Sequence, residues 1–245
     1  MIEPPVARPP AVLPIERLAA AFEVLLCSGF PTQIIIITTL ATFGMQPRLA
    51  DGRFNAPFVF ALTLLDTVLL VGLVCFFFRA HRESFREQLF NGRRLGREML
   101  LGLVLIPASF GVLVVVMSVL QFVAPWLRNV PLNPLAELAR NRSDALIFAF
   151  VVVIAGGVRE EIQRGFILRR FEQFLGGGVT GLVIFSCLFG LGHLEQGRDV
   201  AIVTSILGAF WGALFLTRRS IAAPMVGPAG FNLVQVAAFL VRGGR

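Results

Sequence analysis

The sequence contains no lysine, and all 22 of its basic residues are arginine. Charged residues are scarce as well, at 15% of the chain, whereas soluble domains average about 25%. Hydrophobic residues make up 56% of the chain, and the mean hydropathy is +0.79. This composition excludes an ordinary soluble domain and predicts a polytopic membrane protein. The use of arginine without lysine indicates a GC-rich bacterial genome.

Cysteine and histidine, the usual zinc ligands, are also few. Cys27, Cys75 and Cys187 each lie in an apolar run without metal-type spacing, so we expect them to pack as small apolar side chains. The two histidines are His81, in a basic loop, and His193. A zinc site built on two histidines would have to recruit His81 from that loop.

Long apolar runs, in contrast, occupy most of the chain. They are continuous and much longer than the ~9–11 residues of a barrel strand, so they predict an all-α fold, a polytopic membrane helix bundle of about seven spanning helices. Pro31 interrupts the first of these predicted spans. The spans are residues 18–45, 57–78, 99–122, 145–166, 179–193, 200–217 and 221–241.

The loop over residues 79–97 carries six arginines and sets the predicted topology. Short arginine-rich loops face the cytoplasm, which places the N-terminus there too and makes the first span an uncleaved signal. We therefore expect a multi-pass protein of the bacterial inner membrane, in contact with the lipid bilayer. No loop shows the aromatic interleaving or the motifs of a nucleic-acid binder. The sequence does not indicate an oligomeric state.

The most unusual stretch, residues 159–171, reads R-E-E-I-Q-R-G-F-I-L-R-R-F and follows the uncharged run 145–158. Helical spacing lets Arg164 reach either Glu160 or Glu161. Each ionisable residue in a spanning segment costs about 2.5–3.5 kcal/mol, which indicates a functional site. The alternative is the interfacial end of a helix, whose arginines reach the lipid headgroups.

A second acid in an apolar run, Asp66, has two interpretations. It is either functional or a polar link between helices, and the lack of a matching partner nearby in sequence favours the link. A small transporter with Asp66, Glu160 and Glu161 as an ion path is a further alternative. That fold predicts paired broken helices, whereas Pro31 and Pro228 do not occupy matching positions in two halves of the chain.

The histidine that ends F-G-L-G-H is His193. Because the chain also carries a glutamate pair, this histidine becomes a candidate for the catalytic site. A glutamate can act as a general base toward water, and an imidazole can bind a metal or stabilise an oxyanion. This glutamate pair, this histidine and a later asparagine lie in three segments, each on a separate predicted span. They are Glu160-Glu161 with Arg164, Phe189-x-x-x-His193, and A-A-P-M-V-G-P-A-G-F-N, which ends at Asn232.

In these motifs the chain resembles the CPBP family, the membrane-embedded group of type II CAAX prenyl proteases and Abi bacteriocin-immunity proteins. That family carries two glutamates followed by an arginine, then Phe-x-x-x-His, then His-x-x-x-Asn. The resemblance divides one membrane domain into residues 1–144, without a usable motif, and residues 145–241, which are similar to the catalytic-core helices.

The resemblance implies a membrane metalloendopeptidase that cleaves a membrane-associated peptide or protein near its C-terminus. Glu160 would be the general base, with Glu161 in support and Arg164 orienting both acids. His193 would be a ligand or oxyanion stabiliser, and Asn232 a polar partner. Glu160, Glu161, His193 and Asn232 are also the candidate ligands if zinc is bound. In a bacterial membrane, a peptide or lipoprotein is a more plausible substrate than a prenylated protein.

Two departures from the family pattern leave alternatives open. The spacing is E-E-x-x-R where the family has E-E-x-x-x-R, so alignment on Arg164 would put Arg159 in place of the first glutamate. Four residues before Asn232 stands Pro228 instead of the third-motif histidine. The second hypothesis is therefore a catalytically degenerate member that acts as a membrane peptide-binding or immunity protein.

Overall fold

The computed structural model describes residues 12–131, 134–139 and 142–241, apart from the side chains of residues 136, 137, 139 and 239. Over these ranges the chain is helical and forms no β-strand, with only an isolated antiparallel bridge between Arg48 and Phe54. The predicted all-α bundle is therefore confirmed.

The α-helices follow the apolar runs of the sequence closely. They are α1 (Pro14–Leu26), α2 (Phe30–Thr42), α3 (Ala56–Ala80), α4 (Phe85–Phe90), α5 (Leu95–Val123), α6 (Arg142–Val152), α7 (Glu160–Phe174), α8 (Gly178–Leu191), α9 (Arg198–Arg218) and α10 (Ala222–Val241). A π-helical turn, Val153–Arg159, joins α6 to α7, and short 3-10 turns lie at Pro125–Leu127, Pro134–Ala139 and Leu194–Gln196.

Fewer helices than the predicted seven have the length and composition of a membrane span. In the part of the chain that the structure describes, these are α3, α5 and α9, and the pair α1–α2, bent by 41°, adds a fourth if it counts as one span. With 14 residues, α8 is shorter than the ~20 that a bilayer requires. The predicted fourth span is instead the continuous run from α6 to the charged helix α7.

The bend between α1 and α2 occurs where the sequence places a glycine and a proline. Gly29 has a left-handed backbone with φ +89°, which glycine adopts without steric cost. Pro31 lies in the first turn of α2, where its missing N–H is not needed. The interruption predicted at Pro31 is therefore present as a break between two helices, α1 and α2.

The charged helix α7 lies in the middle of the bundle. Its apolar side chains form the main core with neighbours from α3, α4 and α9, including Phe78, Leu89 and Phe215. Phe166 is fully buried there, with its ring 5.2 Å from Phe78 and 6.1 Å from Phe77. The helix is therefore held on several sides, which fixes the polar side chains in its first turn.

Small residues on α8 allow it to approach α7 and α9. A Cβ added at Gly181 would lie 2.6 Å from the Phe171 Cβ of α7, and one at Gly190 would overlap the carbonyl of Ala201 on α9. Small residues at a helix interface allow such close approach of the two backbones.

We predict that Gly181→Ala lowers the thermal midpoint in detergent, because the Phe171 Cβ is fixed to the backbone and cannot move aside. Overpacking of this kind costs about 1–3 kcal/mol. The matched control is Gly111→Ala in α5, where no described atom lies within 4 Å of the added Cβ. A thermal midpoint that falls equally in both variants would contradict the close α7–α8 contact.

Candidate functional site

The π-helical turn before α7 brings α10 close to the glutamate pair. Gly156 and Gly157 in this turn are buried, and a Cβ at Gly157 would lie 2.7 Å from the Ala229 Cβ of α10. A π-helical turn of this kind is often found at functional sites. The sequence analysis did not single out these two glycines. A glycine pair just before the charged motif could have indicated the close approach of another helix there.

Gly156, the first glycine of this pair, lies under two of the predicted site residues. A Cβ at Gly156 would lie 2.6 Å from Nδ2 of Asn232 and 3.9 Å from Oε2 of Glu160. The first motif and the end of the third motif therefore meet above this glycine, although they lie on helices that are distant in the sequence.

A cavity of about 620 Å³ contains most of the predicted site. This volume is within the usual range of ligand sites. Its walls include apolar side chains from α3, α5, α6, α9 and α10. The predicted residues along it are Glu160, Arg164, Phe189, His193 and Asn232, together with Pro228.

A second cavity of about 340 Å³ meets the first at Glu160 and His193. Its lining is more polar, and it includes Asp66 and Arg159 as well as Gly29 from the bend between α1 and α2. Glu160 and His193 therefore lie at the junction of a larger, more apolar cavity and a smaller, more polar one.

Glu161 points away from both cavities. Its carboxylate is fully buried and forms an ion pair with Arg164. The Arg164 guanidinium is also stacked over Phe185 at 5.5 Å and Phe189 at 5.1 Å, which are favourable cation–π distances. Of the two glutamates that the sequence could not distinguish, only Glu160 faces space that a substrate could occupy.

The His193 ring has a defined orientation. Its Nδ1 lies 2.9 Å from the carbonyl oxygen of Phe189, and the two rings are 5.0 Å apart. Because a carbonyl can only accept, Nδ1 donates the hydrogen bond, and Nε2 of the neutral imidazole is left as an acceptor. The Phe-x-x-x-His spacing thus holds the imidazole through a helical i, i+4 contact.

Asp66 forms an ion pair with a residue from a distant part of the chain, Arg159. Arg159 donates to its carboxylate, as does Thr32, and the Gln33 amide nitrogen lies 3.5 Å away. The link between helices that the sequence analysis favoured is therefore present, and its partner is 93 residues away. Arg159, the residue next to Glu160, is thereby engaged with Asp66.

Glu160 is left without a cationic partner. Arg164 is paired with Glu161 and Arg159 with Asp66, and Glu160 has no ion pair or hydrogen bond to any other described side chain. An intramembrane carboxylate without a partner is costly, so its position at the junction of two cavities indicates a functional group.

The side chains at this junction do not fit a zinc site. Such a site requires about three protein ligands and a water. Within the described ranges, no three His, Cys, Asp or Glu side chains come together in a metal-binding arrangement. Glu161 is paired with Arg164, Pro228 offers no ligand, and His81 contacts Glu23 at 2.5 Å.

Comparison with known families supports the sequence resemblance. Residues 142–234 match the family model described as "Type II CAAX prenyl endopeptidase Rce1-like". The matched segment runs from α6 into α10 and includes all three motifs. The resemblance to the CPBP and CAAX-protease family is thus confirmed over this segment, and the apolar helices agree with an integral membrane protein. No curated protein matches the chain, and no solved structure does.

We predict that Asp66→Ala strongly destabilises the protein, because it leaves the Arg159 guanidinium, whose side chain is only 12% exposed, without a counter-charge. Breaking a buried pair costs about 3–5 kcal/mol. The double variant Asp66→Ala/Arg159→Met should recover part of that loss. Thermal denaturation in detergent measures both effects.

The control is Glu195→Gln, which breaks an ion pair with Arg48 whose side chains are 73% and 48% exposed. A surface pair of this kind contributes less than about 1 kcal/mol. If Asp66→Ala lowered the thermal midpoint no more than Glu195→Gln does, the buried pair would have no structural role.

Proposed function

We propose that the protein is an intramembrane endopeptidase of the CPBP type, in which Glu160 activates water for attack on a peptide bond. The proposal depends mainly on one observation. Glu160 is the carboxylate of the motif that faces the junction of the two cavities without an ion-pair partner among the described residues. A free carboxylate can accept a proton from water, which a carboxylate held by arginine does less readily.

In this mechanism the attacking water donates one hydrogen bond to Glu160 and the other to Nε2 of His193. Both groups are acceptors, since Nδ1 of His193 donates to the Phe189 carbonyl. The oxygen lone pair of the water is then free to attack the carbonyl carbon of the substrate, while Glu160 takes the proton.

The side-chain amide of Asn232, which lines the same cavity, would stabilise the charge that develops on the carbonyl oxygen. Amide N–H donors serve this purpose in other hydrolytic sites. When the tetrahedral intermediate collapses, the C–N bond breaks, and the protonated Glu160 returns its proton to the leaving amine. Arg164 remains paired with Glu161 and holds the first turn of α7 in place.

The lining of the larger cavity suits an apolar, membrane-associated peptide segment. Its walls include Phe148, Trp211 and Phe231. We therefore propose as substrate a peptide or lipoprotein that is cleaved near its C-terminus, in a bacterial inner membrane. The basic segment 79–97 would face the cytoplasm, as would the N-terminus.

The second candidate is a non-catalytic family member that binds membrane peptides, for example as an immunity protein. Pro228 favours it, because this residue lines the larger cavity one helical turn before Asn232 and supplies no polar group there. The two candidates differ in whether peptide is hydrolysed or only bound.

We predict that Glu160→Gln abolishes cleavage of a fluorogenic apolar peptide by the protein in proteoliposomes. The amide keeps the shape but cannot take a proton from water, and the loss of a general base lowers the rate by about 10²–10⁴-fold. Because Glu160 has no ion pair to lose among the described residues, the thermal midpoint should not fall. Peptide binding to the variant, measured separately, should persist.

Glu161→Gln is the matched control and should behave differently. It breaks the pair with Arg164, so it should lower the thermal midpoint as well as the activity. If the unmodified protein binds the peptide but shows no turnover, the immunity-type candidate is correct. If Glu160→Gln leaves an existing turnover unchanged, Glu160 is not the general base. If Glu160→Gln lowers stability as much as Glu161→Gln, Glu160 is a structural residue.

The protein should also work without a bound metal. We expect detergent-purified protein to contain no stoichiometric zinc and to keep its activity in 1,10-phenanthroline, because the described side chains at the junction supply too few ligands. Pro228→His would add an imidazole one turn before Asn232 and should create zinc binding. About one equivalent of zinc in the unmodified protein, together with loss of activity in the chelator, would require a metal-dependent mechanism.

A further inference from the structure

Outside the catalytic region, the segment between α3 and α5 presents an arginine-rich surface, which we call the basic face. The short helix α4 within this segment is fixed by the buried Leu89, and the Ser84 side chain accepts from the Glu87 N–H at its start. The basic face consists of six exposed arginines, namely Arg79, Arg82, Arg86, Arg93, Arg94 and Arg97.

The carboxylates at this end of the bundle are mostly engaged by other arginines. Arg170, buried in α7, holds Glu23 at 2.6 Å and Glu83 at 2.8 Å. Arg218 at the end of α9 holds Glu98 at 2.5 Å. These three acids are therefore not available to neutralise the basic face.

A similar arrangement occurs at Glu172, which pairs with Arg169 at 3.3 Å and also with Arg219. In the basic face itself, Arg93 donates to the carbonyl of Arg218 at 2.6 Å. The other five arginines make no ion pair or hydrogen bond with side chains that the structure describes. Their charge is therefore not neutralised by an ion pair among the described residues.

The basic face borders an exposed apolar band. It lies between the end of α3 and the start of α5, two helices that could span the membrane. The first turns of α5 expose apolar side chains directly beside the arginines, with Leu95 at 48%, Leu100 at 60% and Val104 at 64%. A single anionic lipid could contact both parts of this surface, with its headgroup on the arginines and its acyl chains on the exposed apolar side chains.

We propose that the basic face binds anionic phospholipids, with their phosphate groups on the arginines and their acyl chains along the first turns of α5. Guanidinium groups suit phosphate because their planar N–H donors can bind it in a bidentate manner. Clusters of arginine at the cytoplasmic end of spanning helices attract anionic lipid. The continuous apolar band favours a lipid over a nucleic acid or an acidic protein.

The experiment uses the full chain in detergent, mixed with equal amounts of phosphatidylglycerol and phosphatidylcholine of the same acyl length. Retained lipids are counted by native mass spectrometry. We expect a several-fold preference for phosphatidylglycerol, which Arg86→Gln/Arg94→Gln/Arg97→Gln abolishes. The corresponding lysine triple variant keeps the charge and should keep most of the preference.

The control is Arg128→Gln/Arg142→Gln/Arg198→Gln, which removes three exposed arginines at the opposite ends of α5, α6 and α9. It should retain the preference for phosphatidylglycerol. Equal retention of the two lipids, or an equal loss in both glutamine triple variants, would overturn the proposal. So would binding of a soluble acidic peptide with the same dependence on Arg86, Arg94 and Arg97, which would indicate a protein partner.

Discussion

The structure depends on neutralising a charged helix inside an apolar bundle. Buried charges are tolerated when they are paired and costly when they are not. The bundle supplies partners for α7 from several helices, including Glu23 of α1 for Arg170. Within α7, Glu161 and Arg164 neutralise each other. Against this background, the lack of a partner for Glu160 among the described residues is unusual, and it is the strongest argument that this carboxylate acts on something other than the protein.

Much of this arrangement could be predicted from the sequence. The apolar runs predicted the helices closely, and the three motifs selected Glu160, His193 and Asn232, which the fold brings together around one cavity. Motif residues are recognisable because each has local neighbours of fixed spacing, such as the four-residue step from Phe189 to His193. The choice of Glu160 as the proposed base required the fold as well, since only the orientation of α7 separates Glu160 from Glu161.

The partners of the buried charges could not be predicted, because they are set by tertiary packing. Arg159 and Asp66 are 93 residues apart, and Arg170 and Glu23 are 147 apart, so no sequence spacing relates them. For a related reason, fewer helices in the described part of the chain have the length and composition of a span than the seven that the apolar runs predicted. An apolar run such as that of α8 predicts a helix that avoids water, but it does not show whether protein or lipid surrounds that helix. With 14 residues, α8 is too short to cross a bilayer.

The N-terminal half of the chain, which carries no family motif, nevertheless completes the site. Asp66 from α3 engages the residue next to Glu160, and Thr63 from the same helix lines both cavities. At the bend between α1 and α2, a Cβ on Gly29 would lie 2.6 Å from the Arg159 guanidinium, so a larger residue there would disturb the same pair. The wall of the smaller cavity therefore belongs in part to helices outside the matched segment.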